Sequence, residues 1–194
     1  MIRHLGSRRC PVSRAESSSA RRSRSRPCSG PGASRAASKD EIDAKVGLGL
    51  EHLLASNAAA KALAESAVAV LVFPDIVKGG LIVGGQYGEG ALLQGGRPVA
   101  YYNTIAASYG LQIGVQSFGY ALFFMNDKAL AYLDKSEGWE IGVGPTITIL
   151  DVGKAANFST TTANDDIYVF FFDQKGLMAG IGIQGSKITR ITPG

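Results

Sequence analysis

The sequence predicts an α+β fold: two N-terminal helices, then a glycine-rich, mainly antiparallel β-sheet of sandwich or barrel-like form, with one helix inserted among the strands. Three observations predict it. Apolar residues recur at helical spacing from Ile42 to Leu54, the period changes to a continuous apolar run at Val68, and from Gly79 onward short apolar runs alternate with glycine turns.

The elements follow in chain order. Residues 1–37 are Arg, Ser, Pro, Ala and Gly with hardly an apolar side chain, too little buried surface to offset the entropy of ordering, so a disordered tail is expected ahead of a single domain over 38–194. Ser38-Lys39-Asp40-Glu41 has the serine and the glutamate three residues later that satisfy the free amides of a helix start. Ile42, Val46, Leu50, Leu53 and Leu54 then share one face of that helix. Ser56 or Asn57 caps a second, alanine-rich helix that ends near Ser66. Val68 to Phe73 reads as a buried strand stopped by Pro74. Ala91–Gln94 and Pro98–Tyr102 flank Gly95-Gly96, a two-residue hairpin link. Asn126 caps the inserted helix, with Leu130 and Leu133 on its inner face and Gly138 just past its end. Ile167–Phe172 and Leu177–Ile183 flank Asp173-Gln174-Lys175-Gly176 as a second hairpin, and Lys187–Ile191 is the last strand.

Composition removes several function classes. Of the net charge of +4, residues 1–38 contribute nine Arg and one Glu, or +8, which leaves eleven basic and fifteen acidic residues, or −4, in the rest of the chain. An acidic body does not attract phosphate backbones over its whole surface, so no nucleic-acid partner is expected. Both cysteines, Cys10 and Cys28, lie in the tail, so the body has no disulfide, thiolate nucleophile or cysteine-ligated metal. His4 is in the tail, and His52 stands alone on the first helix without a partner for metal binding or nucleophile activation. No stretch of about 18 uncharged apolar residues occurs, so no helix is expected to cross a bilayer. The aromatic residues, Phe170 to Phe172 among them, have no interleaved Arg or Lys and read as core and interface rather than a base-stacking surface.

Motifs for chemistry fail one by one. The glycines of Gly84-Gly85-Gln86-Tyr87-Gly88-Glu89-Gly90 are followed by a strand where a phosphate loop needs a helix N-terminus. Ser117, between Gly114 and Gly119, has no histidine to act as its base and reads as a hairpin residue. Asp165 with Asp166, and Glu137 with Glu140, are paired carboxylates but lack further oxygen ligands in a compact loop, so neither metal, cofactor nor catalytic residue is expected. Four segments place glycines four apart: Gly80–Gly84, Gly110–Gly114, Gly138–Gly142 and Gly176–Gly180. Along a strand this spacing strips one face of side chains, which means curvature and bulges or, alternatively, a smooth groove for an acyl chain or partner.

In Leu71-Val-Phe-Pro74, Gly79 to Gly90, Tyr109 to Ser117, Asn126 to Leu130 and Gly176 to Ile188, the body resembles the SYLF domain family over nearly all of residues 39–192. The resemblance implies a non-enzymatic domain that binds phospholipid or phosphoinositide, or actin in yeast-type members, and an envelope lipoprotein in bacterial members. Lys39, Lys45 and Lys78 are its lipid-binding candidates, although Asp40, Glu41, Asp43 and Glu51 around the first two imply weak attraction to anionic lipid. The expected partners are therefore membrane lipid at low affinity, with a protein partner as the alternative. Cys28 stands where a bacterial member carries its lipid-modified cysteine, and Ser29 to Ser34 has the composition of a flexible tether. An apolar stretch before Cys28 is lacking, so residues 1 to about 26 are expected to be a mistranslated start. The true start would then direct the protein to the envelope, whereas the chain as written stays in the cytoplasm.

Overall fold

The computed structural model describes residues 37–80, 83–109, 114–135, 138–150, 165–176 and 185–194. Helix α1 (Lys39–Ser56) begins where the Ser38 hydroxyl accepts the amide of Glu41, and α2 (Ala58–Ser66) begins where the side-chain Oδ1 of Asn57 accepts the amides of Ala59 and Ala60 at 3.0 and 3.1 Å. Glu41 reaches forward to Lys45 at 2.8 Å.

Eight strands follow: β1 (Ala69–Gly80), β2 (Val83–Gln94), β3 (Arg97–Tyr109), β4 (Gly114–Phe124), β5 (Trp139–Glu140), β6 (Ile147–Leu150), β7 (Ile167–Gly176) and β8 (Lys187–Ile191). Between β4 and β5 lie the short helix α3 (Asp127–Leu130), capped by Asn126, and a 3-10 turn over Ala131–Asp134 that buries Leu133. The strands form one curled half-barrel sheet in the order β5-β8-β3-β2-β1-β4-β7-β6, antiparallel except for β6 beside β7. The α+β class with a mainly antiparallel sheet therefore holds. Gly95 and Gly96 have φ of 56° and 76°, the two positive values that a tight link between right-twisted strands requires, and so make the expected hairpin of β2 and β3.

Each face of the sheet carries a core. The concave face holds Leu71, Phe73, Phe118, Tyr120, Leu122, Phe124, Trp139 and Ile167, and α3 closes part of it through Ala129. The convex face holds Val70, Val72, Phe123, Phe170 and Phe172 under Ile42, Val46 and Leu53 of α1 and Leu63 of α2. Alternate residues of each strand thus face two cores, which explains why Val68 to Phe73 reads as continuously apolar.

Four readings of the sequence are corrected. Pro74 does not stop β1, because the strand continues to Gly80 through a bulge at Phe73 to Ile76 where both neighbouring ladders shift register. A bulge is where a central strand tolerates proline, since the missing N–H falls at a break in the ladder. Gly90 sits opposite that bulge, where an added Cβ would lie 2.1 Å from the Val72 carbonyl oxygen. Second, Asp173 to Gly176 is no turn: β7 runs through it, and Asp173 takes φ 51° at a register shift against β4. Third, Ser117 lies inside β4, paired with Val77 and Lys175. Fourth, the two glycine pairs that lie within the described residues do not strip a strand face. Gly80 and Gly84 lie opposite each other on β1 and β2, while Gly138 and Gly142 flank the two-residue β5 at φ 82° and 107°. Residues 110–113 and 177–184 of the other two segments fall outside the described residues, as does the second strand expected after Gly176.

Candidate functional site

Strand alternation across the bulge produces one exposed apolar row. Ala69, Leu71 and Phe73 face the concave core, and an unbroken strand would turn Val77 the same way. The extra residue at the bulge reverses the alternation, so Ile76 faces the concave core and Val77 faces outward. In register, Val77 lies opposite Tyr87, and Tyr87 opposite Ile105; the three are 50%, 48% and 49% exposed. Val115, opposite Gly79, adds a fourth exposed apolar side chain. Exposed lysines bracket the row, Lys187 opposite Ile105 and Lys175 opposite Ser117, the neighbour of Val77. A contiguous apolar row on an outer sheet face is informative where a single exposed aliphatic is not. The Tyr87 hydroxyl donates to Glu89, and desolvation together with that carboxylate pushes its pKa up to about 12, so the ring presents a neutral, amphipathic tip.

Beside this row α1 docks onto the convex face. Gly49 allows the approach: a Cβ there would meet Phe172 Cε2 at 3.0 Å and Pro74 Cβ at 3.4 Å. The Tyr101 hydroxyl donates to Asp43 at 2.8 Å, and burial followed by this bond pushes its pKa up to about 12. His52 is not without a partner, as the sequence suggested, because β7 brings Asp173 to 2.9 Å from its Nδ1. Lys45, Leu48, Gly49, His52, Pro74, Asp75 and Asp173 line a shallow groove of about 410 Å³. Leu48 is 69% exposed there, whereas Ile42, Val46, Leu50, Leu53 and Leu54 of α1 pack toward the sheet.

The three candidate lysines do not form one patch. Lys39 is exposed in the first turn of α1, and Lys45 is held by Glu41, whose hydrogen bond raises its pKa. Lys78, two residues beyond Ile76, is turned to the concave side and half-buried, on the other face of the sheet from α1. Cys28 lies outside the described residues.

Of the paired carboxylates, Asp165 and Asp166 bond to β6 and to the residues that lead into it and into α3. Asp165 accepts the Thr148 hydroxyl at 2.5 Å. Asp166 accepts the Thr146 amide and hydroxyl at 2.9 and 3.0 Å and the Asn126 side chain at 2.8 Å, bonds that hold its pKa below the usual carboxylate range. Glu140 is exposed on β5, and Glu137 is outside the described residues. No cluster of three or more metal-ligating side chains occurs among the described residues.

Sequence reasoning missed the exposed row because its outward orientation depends on the bulge. Pro74 inside an apolar run was the available signal. Residues 105–192, from the middle of β3 to just past β8, match the family model described as Ysc84, Las17-binding protein actin regulator. No curated protein matches the chain.

Proposed function

Because residues 105–192 match the model of the SYLF (Ysc84) family, a family of actin- and lipid-binding domains, we propose that the chain is a non-enzymatic module that binds phospholipid surfaces. The observation that carries this reading is the row Val77, Tyr87 and Ile105 with Val115 beside it, bracketed by Lys175 and Lys187. Aliphatic side chains and an amphipathic tyrosine suit the boundary between acyl chains and headgroups, and lysines at its ends suit the anionic plane above it. With a net charge of −4 over residues 39–194, the electrostatic share is small, so binding is weak and changes little with salt. Co-sedimentation with phosphatidylcholine vesicles, with and without phosphatidylglycerol, tests it. Replacing Val77 and Ile105 with Ser together is expected to weaken partitioning about tenfold, the effect of withholding two half-exposed aliphatic side chains from burial. Unchanged partitioning in the double variant would remove this surface from the reading.

The family description favours a second reading, a protein-binding module whose partner is an actin-type filament. Co-sedimentation with actin filaments in the absence of lipid separates the two. An envelope location, with Cys28 as the lipid-modified anchor, belongs to the first reading. It requires that another reading frame upstream of Cys28 encode a basic start followed by roughly 7 to 15 apolar residues.

A further inference from the structure

The concave face, apolar along most of its length, carries a polar row near the glycine-rich end of the sheet. Directly opposed residues on neighbouring strands point to the same side, with Cβ atoms about 5 Å apart. Gln86 on β2 opposes Lys78 on β1, and Lys78 opposes Gln116 on β4. Ser186, just before β8, joins the row by accepting the side-chain amide of Gln86 at 2.9 Å. Ile76 and Phe118, two residues further in on β1 and β4, are core, so the row lies on the inner side of the sheet.

Its members are deeply buried. Ser186 is 0%, Gln116 3% and Gln86 6% exposed, and Lys78 is half-buried with no carboxylate within salt-bridge distance among the described residues. The Gln116 Oε1 atom is buried without a hydrogen-bond partner. An unpaired buried acceptor beside a half-buried ammonium without a counter-ion is unfavourable on both counts, and departures from the inside-apolar pattern mark functional positions. The Ser186 hydroxyl, having accepted from Gln86, still has its own proton to donate.

We propose that the row Lys78, Gln86, Gln116 and Ser186 is a binding site for a phosphate ester that bears a free hydroxyl group. The ammonium of Lys78 and the hydroxyl of Ser186 donate to the anionic oxygens, and the ligand's own hydroxyl donates to Gln116 Oε1, so each unmet group of the row gains a partner. Lipid headgroups and soluble glycerol or sugar phosphates share this chemistry. The site lies on the opposite face of the sheet from the Val77 row and does not rest on the vesicle reading.

The test follows the backbone amides of Lys78, Gln86, Gln116 and Ser186 by NMR in the full chain. One arm titrates sn-glycerol 3-phosphate, and the other adds short-chain phosphatidylglycerol. Saturable shifts at these amides are expected in at least one arm, and the responding arm identifies the source. Lys78→Met, which keeps the side-chain length, is expected to weaken that binding about 10- to 100-fold, the loss of a charged hydrogen bond. Gln116→Leu is expected to weaken it by a smaller factor while leaving the fold intact. Shifts in neither arm, or equal affinity in Lys78→Met, overturn the proposal. Vesicle binding that persists in Lys78→Met without shifts at the row would overturn this site and leave the Val77 surface standing. Saturable glycerol 3-phosphate binding without vesicle binding would do the reverse.

Discussion

Gly90 shows how much one hydrogen atom decides at the residue scale. A Cβ there would stand 2.1 Å from the Val72 carbonyl oxygen and 2.8 Å from Phe73 Cδ1, backbone and buried ring that cannot both yield. Gly90→Ala is therefore expected to cost about 3 kcal/mol or more, read from the urea midpoint. Gly47 on α1 has nothing within 4 Å of its added Cβ, so Gly47→Ala should stabilise the chain by about 0.5–1 kcal/mol, the helix preference of alanine over glycine. Tyr120 is fully buried, donates to the Thr104 hydroxyl at 2.9 Å, and has its pKa driven upward by that burial, so it remains protonated while the fold persists. Asp166 links α3 to the start of β6 through Asn126 and Thr146, and its pKa is lowered in the folded chain. A depressed carboxylate contributes stability that is complete above the unfolded value of about 4 and disappears as pH falls through the lower folded value. Wild type should thus lose more stability between about pH 5 and 3 than Asp166→Asn. Denaturant titrations at the two pH values measure the difference, and parallel losses would show that these bonds are not linked to folding.

At the scale of elements, helix starts and sheet bends have separate causes. The helix starts are local: Asn57 satisfies two amides of α2, and Asn57→Ala should cost about 1 kcal/mol. Docking of α1 is not local. It relies on Gly49 lying against Phe172 and Pro74, on Tyr101 bonding Asp43, and on His52 meeting Asp173. Gly49→Leu puts a branched side chain where a Cβ already touches the ring, so it should push α1 off the sheet at a cost of about 1–3 kcal/mol. Hydrogen exchange is the discriminating measurement: amides of α1 should exchange faster while those of β1 keep their protection. Equal acceleration in both elements would mean that α1 is an inseparable part of the sheet's cooperative unit.

For the whole molecule, the core on each sheet face is completed within residues 37–194, by α1 and α2 on one side and by the curl of the sheet with α3 on the other. Ala37 is tied in by its amide, which donates to Glu89 at 3.0 Å. Deleting residues 1–36 should accordingly leave the melting temperature unchanged. A drop of more than about 4 °C, roughly 1 kcal/mol or more in a domain of this size, would show that those residues stabilise the fold.

The sequence by itself determined the α+β class, both N-terminal helices with their caps, the Gly95-Gly96 hairpin and the last strand. Each of these is written in a few neighbouring residues: a side-chain oxygen before an apolar period, or two glycines between strands. Only the tertiary structure decided which way the sheet's side chains face beyond Pro74. Sequence alternation alone would bury Val77 and expose Lys78, and one extra residue at the bulge exchanges them, turning Val77 into the exposed row and Lys78 into the interior. The bulge depends on Gly90 from the next strand giving Val72 and Phe73 room, a contact between residues distant in the chain that no local pattern encodes.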